Sequence, residues 1–227
     1  MDSFTSAISE DAEKYFSRNG ALPGKVRDPV LEAIRFIAKS FDLKNVLEVG
    51  CASGSRLNEI HKITGANCVG LDASKSAVAK GSSLYPDIQL FQGIAPRDLF
   101  ESNNGFKANS FECIIIGFVS YLIPREEIFL LTAYIDRLLA ADGHLVIFDF
   151  IHPRDNRRNY AHDQRLTTFK TDPSAAWTWS PTYFLANREI YLEPNDAGSF
   201  ADPHNWMTVD TLRKFHPSYA FPNEHGS

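Results

Sequence analysis

The stretch that decides the fold is NVLEVGCASG, Asn45 to Gly54. Its first half is a short apolar run with β-branched residues, which predicts a buried strand at Val46–Val49. Its second half consists of small residues, and glycines such as Gly50 let the backbone turn sharply and approach a ligand closely. The apolar run also contains a lone carboxylate, Glu48. The stretch therefore predicts a strand that carries a charge and ends in a ligand-binding turn.

Strands and helices alternate after this turn. The pattern predicts, in order, a helix at Arg56–Thr64 closed by Gly65, a strand at Cys68–Asp72, a helix at Ser76–Leu84, strands at Ile88–Phe91 and Glu112–Phe118, a helix from Pro124 that Gly143 stops, and a strand at His144–Phe150. Strict alternation with short connections is typical of a parallel sheet with helices on both faces. The sequence thus predicts an α/β fold.

The flanking regions differ from this core. Before it we expect a short helix at Ser9–Ser17 and a second one that starts at Asp28-Pro29. After it, residues 151–170 are polar and irregular and predict a long loop, and closing strands are expected at Arg188–Pro194 and Asn205–Phe215. We therefore divide the chain into a helical cap (1–44), a core (45–215) and a tail (216–227).

Composition limits the function classes. The chain has 227 residues and a net charge of −5, whereas nucleic-acid binding normally leaves a basic footprint. No segment approaches the ~20 apolar residues that span a bilayer, and the first residues do not resemble a secretory signal, so we expect a cytoplasmic protein. The three cysteines fit neither a disulfide framework nor a zinc site, and no metal is expected. The oligomeric state stays open.

Two features indicate a nucleoside site. In an open parallel sheet, ligands bind beyond the carboxyl ends of the strands, where the turn Gly50–Gly54 lies. Asp72 ends the second predicted strand and is placed to accept hydrogen bonds from ribose hydroxyls. Dinucleotide enzymes favour G-x-G-x-x-G, which this turn lacks. Glu48 would repel a pyrophosphate and attract an ammonium group instead.

These residues resemble the first motif of the class I S-adenosylmethionine-dependent methyltransferases, an acidic residue, any residue, then Gly-x-Gly-x-Gly. LEVGCASG matches it except that Ala52 replaces the middle glycine. The resemblance implies that Glu48 serves the amino end of the methionine moiety and that Asp72 holds the ribose. It implies one set of cofactor-binding residues: Glu48, Gly50, Cys51, Ala52, Gly54, Asp72, Ala73, Gly93, Ile94, Ala95, Gly117 and Phe118.

The resemblance extends over roughly residues 28 to 215. It implies a Rossmann-like, seven-stranded, mostly parallel sheet with helices on both faces and an antiparallel closing strand. QGIAPRDL, Gln92 to Leu99, is similar to the third family motif, which would frame the adenine. Many family members have an aspartate where this chain has Ile94, and Arg97 or Asp98 could substitute for it. The chain is most similar to small bacterial members with an unassigned acceptor.

The resemblance implies methyl transfer from S-adenosylmethionine to a small-molecule acceptor. The protein would align the nucleophile and, for a hydroxyl acceptor, remove a proton. Candidate catalytic residues beyond the fifth strand are His152, His162 and Tyr121, with Asp149 and Tyr160 as further polar groups. Histidine titrates in the useful range.

Residues 151–170 contain five cationic and two anionic side chains. They could receive an anionic acceptor such as a carboxylate, phosphate or nucleotide-sugar, or form a solvated loop. The aromatic cluster Trp177, Trp179, Tyr183 and Phe184 could wall the acceptor or pack on the sheet. Tyr15 and Phe16 could cover the cofactor or belong to a surface helix. Two other functions stay open: a nicotinamide-dependent oxidoreductase, and a regulatory protein that binds the cofactor without catalysis.

Overall fold

The computed structural model describes residues 3–19, 28–99, 105–192 and 203–220. Its strands are β1 (Asn45–Val49), β2 (Asn67–Asp72), β3 (Gln89–Gln92), β4 (Phe111–Gly117), β5 (Leu139–Phe150), β6 (Asn156–Asn159), β7 (Thr167–Lys170), β8 (Tyr183–Leu192) and β9 (Trp206–Lys214). Seven of them form one sheet in the order β3-β2-β1-β4-β5-β9-β8, in which β9 is antiparallel to both of its neighbours. The predicted Rossmann-like sheet is confirmed.

Helices cover both faces of this sheet. They are α1 (Ser3–Asn19), α2 (Pro29–Ala38), α3 (Ser55–Thr64), α4 (Lys75–Leu84), α5 (Ile128–Leu138), α6 (Ala175–Thr178) and α7 (Pro217–Ala220). The α2 and α3 side chains share one buried cluster with Val46, whereas α5 and α6 share another with Leu47 and Val49. No helix in the described part of the chain has the length and apolar character needed to cross a membrane.

The position of β1 creates the crevice in which a ligand can bind. β1 pairs in parallel with β2 on one side and with β4 on the other. The chain therefore builds β2 and β3 outward in one direction and β4 and β5 in the other. Loops that follow β1 and β4 leave the sheet at this reversal, which is where open α/β sheets bind ligands.

The boundary between α5 and β5 differs from the prediction. The helix begins at Ile128 rather than Pro124 and ends at Leu138, and Gly143 lies inside β5 instead of stopping the helix. The reason is a tertiary contact: the ammonium group of Lys214 in β9 donates to the backbone oxygens of Asp136 (2.6 Å) and Leu139 (3.0 Å). These bonds satisfy carbonyls at the helix end.

The sequence predicts a long irregular loop at residues 151–170, but the structure contains two strands there. β6 and β7 pair as an antiparallel hairpin, with Asn156 opposite Lys170 and Asn159 opposite Thr167. The polar sequence NRRN hides this strand because it lacks the apolar alternation of a half-buried strand. We call residues 156–170 the hairpin.

The two ends of the chain also differ in detail. α1 has 17 residues and is longer than the predicted Ser9–Ser17 helix. The closing strands are β8 and β9, and the predicted end of the first at Pro194 lies outside the described residues. Most of the predicted tail, residues 221–227, and residues 20–27 of the predicted cap also lie outside them.

A buried histidine in β5 predicts a pH dependence of stability. His144 is 5% exposed and packs against the Phe41 ring at 4.4 Å between centroids. Burial, followed by the nearby Arg213, lowers its pKa from 6.5 to about 4. Between these values the unfolded state takes up a proton that the folded state does not, so the free energy of unfolding falls as pH falls. The loss should reach roughly 3 kcal/mol below pH 4.

Urea denaturation of wild type and His144→Phe at several pH values measures this effect. The phenylalanine keeps a ring against Phe41 but cannot be protonated, so the variant should lose less stability over this window. His216→Phe, at an exposed histidine, serves as the control and should retain the wild-type slope. Parallel slopes for wild type and His144→Phe would contradict the assignment.

Candidate functional site

A cavity of about 270 Å³ opens at the carboxyl ends of β1, β2, β3 and β4. This volume is near the lower end of the range, roughly 300–1,000 Å³, of small-molecule sites. Of the predicted cofactor residues, eleven line it: Glu48, Gly50, Cys51, Ala52, Asp72, Ala73, Gly93, Ile94, Ala95, Gly117 and Phe118. Gly54 does not line it and instead caps α3. The structure therefore brings the predicted cofactor residues together in one place.

The turn after β1 shapes the floor of the cavity. Gly50, Ala52 and Gly54 all have positive φ angles, of 81°, 48° and 71°. A side chain at Gly50 would place its Cβ 2.5 Å from Val119 Cγ2 and 2.6 Å from the Gly117 carbonyl oxygen. Ala52 thus adopts the left-handed conformation that favours glycine, so the departure from the family motif leaves the turn geometry in place.

Glu48 projects a buried charge into the cavity. Its side chain is 1% exposed, and its Oε1 forms an ion pair with Arg56, whose Nε donates to Asp28 Oδ2 at 2.7 Å. Glu48 Oε2 has no hydrogen-bond partner among the described residues. Burial raises the pKa of Glu48, against the opposing effect of Arg56. A ligand with a positively charged donor would satisfy the free oxygen.

Asp72 lies at the end of β2 beside this turn. Its Oδ2 accepts from the Ala52 N–H at 2.7 Å, and its Oδ1 accepts from the Ser74 N–H at 2.8 Å. Each carboxylate oxygen has two lone pairs, so both can accept one more hydrogen bond. Burial raises the pKa of Asp72, and the backbone donors lower it. The carboxylate is therefore fixed in place and can still hold two hydroxyls.

The loop after β3 closes the next part of the cavity. Gly93, Ile94 and Ala95 line it, and the Ile94 N–H donates to Asp98 Oδ2 at 2.7 Å. The side chain of Arg97 donates to Thr5 Oγ1 and to Glu127 Oε1, both at 2.7 Å. Asp98 therefore shapes this loop and Arg97 ties it to α1, so neither side chain stands in for the aspartate that Ile94 replaces.

Helix α1 covers the cavity. Phe4, Ile8, Ala12, Tyr15 and Phe16 line it from above at helical spacing. On its other faces, Glu13 Oε1 accepts from the Ser76 N–H at the start of α4 (3.0 Å), and Glu10 pairs with Arg165 of the hairpin (2.6 Å). Of the two interpretations of Tyr15 and Phe16, the structure favours the cover.

Beyond β4 the cavity ends in a group of polar residues. Tyr121 lines it, and its backbone N–H donates to Asp149 Oδ2 at 3.2 Å, which also accepts from Ser120 Oγ at 2.5 Å. Asp149 is fully buried, and burial raises its pKa to about 6. Asp149 therefore fixes the turn that presents Tyr121.

The two histidine candidates lie outside the cavity lining. The Nδ1 of His152 contacts the Arg154 backbone, and its ring stacks on His204 at 4.8 Å between centroids. His162 is exposed, with its ring 5.2 Å from that of Tyr160. Among the predicted catalytic residues, only Tyr121 lines the cavity.

Other predicted and unpredicted residues complete the site. In the aromatic cluster, Trp177 and Tyr183 are buried against the sheet, whereas Trp179 and Phe184 are exposed.

Sequence reasoning missed Arg56 and Asp11, which both line the cavity. The position of Arg56 in the first turn after Gly54 could have indicated a partner for Glu48, but Asp11 has no motif around it. Among the described residues, no group of histidine, cysteine or carboxylate side chains could hold a metal ion.

Comparisons with known proteins agree with this geometry. Residues 46–143 match the family model of a methyltransferase domain. A 1,6-didemethyltoxoflavin-N1-methyltransferase from Burkholderia thailandensis, crystallised with 1,6-didemethyltoxoflavin and S-adenosylhomocysteine, is 15% identical with a TM-score of 0.71 over 94% of this chain and 89% of its own. N-methyltransferase NodS from Bradyrhizobium japonicum, crystallised with S-adenosylhomocysteine, is 15% identical with a TM-score of 0.61 over 89% of this chain and 98% of its own.

A third solved structure, a TehB-like S-adenosylmethionine-dependent methyltransferase from Corynebacterium glutamicum, is 20% identical with a TM-score of 0.58. The likeness covers 90% of this chain and 98% of that one. At these identities the likeness establishes the fold. Among curated proteins no sequence matches this chain. The matched domain contains β1 to β4 and the turn that shapes the cavity floor, and it favours methyl transfer over nicotinamide chemistry.

The turn geometry predicts different costs for alanine at two glycines. Gly50→Ala combines a positive φ with a clash against Gly117 and should lower the free energy of unfolding by roughly 2–4 kcal/mol. Gly65, the C-cap of α3, has a similar φ of 73°, but no atom lies within 4 Å of the position that a Cβ would take there. Gly65→Ala should therefore cost only about 1 kcal/mol. Urea denaturation measures both, and equal costs would show that the clash is relieved.

Proposed function

We infer that this chain, a class I S-adenosylmethionine-dependent methyltransferase by its fold and its core domain, transfers a methyl group to a small-molecule acceptor. The observation that carries the inference is Glu48. It lines the cavity beside a side-chain-poor turn, and one of its buried oxygens has no partner among the described residues. A cationic ligand with a flat, polar body fits both features. Such a ligand is S-adenosylmethionine.

The residues present fit the parts of this cofactor. Glu48 Oε2 would accept from its ammonium group, and Arg56 would face its carboxylate, because both side chains line the same end of the cavity. Asp72 would hold the ribose through the lone pairs that its backbone donors leave free. Gly93, Ile94 and Ala95 would enclose the base through backbone and apolar contacts. The strand order places these groups along one sheet edge from β3 to β1.

The methyl group of the bound cofactor is attached to a positively charged sulfur and is therefore an electrophile. The work of the protein is positional: the turn and the cavity walls hold the reactants in line, which contributes much of the rate in such displacements. Helix α1 excludes water from above because its apolar face lines the cavity. The acceptor would bind beyond β4, near Tyr121.

Ligand binding tests the cofactor assignment. S-adenosylhomocysteine should raise the melting temperature of the wild-type protein, and NAD should not, because only a ligand of the native state stabilises it. Glu48→Gln keeps the size of the side chain but removes its charge. The variant should bind S-adenosylhomocysteine about tenfold or more weakly, as expected for the loss of a charged hydrogen bond. Titration calorimetry measures both affinities.

The control for this variant is Glu59→Gln, at a carboxylate that pairs with Lys62 on the surface of α3. It should bind S-adenosylhomocysteine as the wild type does. The proposed function would be refuted if the wild-type protein bound NAD but did not bind S-adenosylhomocysteine.

For the acceptor, we propose a molecule with an anionic group, which the cationic side of the hairpin would receive. Lys170 Nζ lies 3.8 Å from the centre of the Phe150 ring, and Phe150 contacts the Tyr121 ring at 5.1 Å. Arg158 contacts His204 beside Lys170. Two ring contacts thus connect Lys170 to the cavity, and Arg158 lies beside it through His204. Carboxylate, phosphate and nucleotide-sugar groups all suit such a cluster.

Replacing Arg158 and Lys170 together with alanine should raise the acceptor KM and leave the affinity for S-adenosylhomocysteine unchanged. Methyl transfer from labelled S-adenosylmethionine to carboxylate- and phosphate-bearing acceptors measures the KM. The double variant Arg35→Ala/Lys39→Ala removes the same charge from exposed positions on and just after α2 and serves as the control. An equal loss of acceptor and cofactor binding would refute the role of the hairpin.

A further inference from the structure

A second buried carboxylate lies in the cavity, on the covering helix α1. Asp11 is 5% exposed and lines the cavity together with Tyr121. One of its oxygens, Oδ1, finds no hydrogen-bond partner in the described part of the chain. A buried polar atom without a partner is rare in native proteins and calls for an explanation. Asp11, like Glu48, thus combines an unpartnered buried oxygen with a position in the cavity lining.

The surroundings of Asp11 place it at the acceptor end of the cavity. Tyr160, at the start of the hairpin turn, lies near both Asp11 and Tyr121, and its hydroxyl lowers the pKa of the Asp11 carboxyl. The Tyr121 and Tyr160 rings are 6.2 Å apart. Tyr121 follows β4, on the opposite side of β1 from Asp72, so this group of residues lies away from the predicted ribose site.

On the basis of the proposed function, we propose that Asp11 is the catalytic residue that accepts a proton from the acceptor. The methylated atom is therefore a nitrogen or an oxygen that carries a hydrogen. Asp11 Oδ1 would accept a hydrogen bond from this N–H or O–H group. Tyr160 is a positioning residue, whose hydroxyl would orient the Asp11 carboxylate. Tyr121 would hold Tyr160 through the contact between their rings.

The step balances in atoms and electrons. The acceptor nitrogen or oxygen gives its proton to the Asp11 carboxylate, and its electron pair forms the new bond to the methyl carbon. The carbon–sulfur bond breaks with its pair remaining on sulfur, which becomes a neutral thioether. The proton leaves Asp11 for solvent when product departs.

The charged environment of Asp11 suits proton transfer. Burial raises its pKa, and the cationic Arg18 and the Tyr160 hydroxyl act in the opposite direction. A carboxylate with a raised pKa is a stronger base than an exposed one. The titratable and charged groups that face it from the packed elements are Arg18 of α1, Tyr121 after β4, and Tyr160, His162 and Asp163 of the hairpin.

A cofactor analogue tests this placement before any acceptor is known. Sinefungin carries an ammonium group where the cofactor carries its sulfur-bound methyl, so its positive charge probes the groups that face the methyl. Asp11→Asn should lower the affinity for sinefungin by about tenfold, because the change removes a nearby charge from a poorly solvated site. It should leave the affinity for S-adenosylhomocysteine unchanged, since that ligand has no charge at this position.

Matched variants separate placement from packing. Glu10→Gln makes the same change one residue earlier, on the face of α1 that meets Arg165, and should keep the wild-type ratio of the two affinities. Tyr160→Phe removes the orienting hydroxyl but keeps the Asp11 charge, so most of the preference for sinefungin should remain. If these residues had only a structural role, Asp11→Asn and Tyr160→Phe would each weaken the binding of both ligands.

The wild-type protein supplies a second measurement that needs no variant. As pH falls and Asp11 takes up a proton, the ratio of sinefungin to S-adenosylhomocysteine affinity should approach the value of Asp11→Asn. Protonation of Glu48 changes both affinities alike and cancels in the ratio. An unchanged ratio in Asp11→Asn and across pH would overturn the role of Asp11 alone, whereas failure of the wild type to bind either ligand would overturn the proposed function as well.

Discussion

The burial of the Glu48 charge is the constraint on which the site depends. A carboxylate in the middle of a sheet is stable only when other groups compensate its charge. Arg56 does so from the first turn of α3, and Asp28 in turn binds Arg56 from the start of α2. This three-residue chain fixes two helices against the end of β1. It leaves one Glu48 oxygen without a partner among the described residues. The residue that holds these helices can therefore also accept a hydrogen bond from a ligand.

The turn after β1 lies directly against the end of β4, which limits its side chains. The Gly117 backbone approaches Gly50 so closely that a Cβ at Gly50 would lie 2.6 Å from the Gly117 carbonyl oxygen. A Cβ at Gly117 would in turn lie 3.2 Å from Arg56 Nη1 and 3.5 Å from Glu48 Oε1. The close approach of the two strand ends thus requires glycine at Gly50, where a Cβ would meet backbone. At Gly117 a Cβ would instead touch the ion pair, so this position borders both the turn and the charged groups.

The sequence predicted the half of the molecule that local patterns encode. The strands β1 to β4 and the helices α3 and α4 follow from apolar runs and caps within each segment. The resemblance to a known family indicated the cofactor residues, and eleven of these positions line the cavity. The end of α5 was mispredicted because Lys214, far along the chain, bonds its last carbonyls. The residues at the acceptor end of the cavity are harder to predict from the sequence. Asp11 and Tyr160 meet only through the packing of α1 on the hairpin, and no spacing in the sequence records that contact.

Helix α1 joins the two halves of the site, and its contacts differ in strength. The pair Glu10–Arg165 is exposed to solvent on both sides, and such pairs contribute little to stability because water screens them. The apolar side chains Phe4 and Ile8 line the cavity and also pack against Ala7, Tyr160 and Leu166, whereas Tyr15 lines the cavity and is 46% exposed. Part of the apolar face of α1 is therefore available to a ligand in the cavity. A ligand that contacts both the floor and this face would stabilise the helix that carries Asp11. The cofactor side and the acceptor side of the proposed site thus share one element.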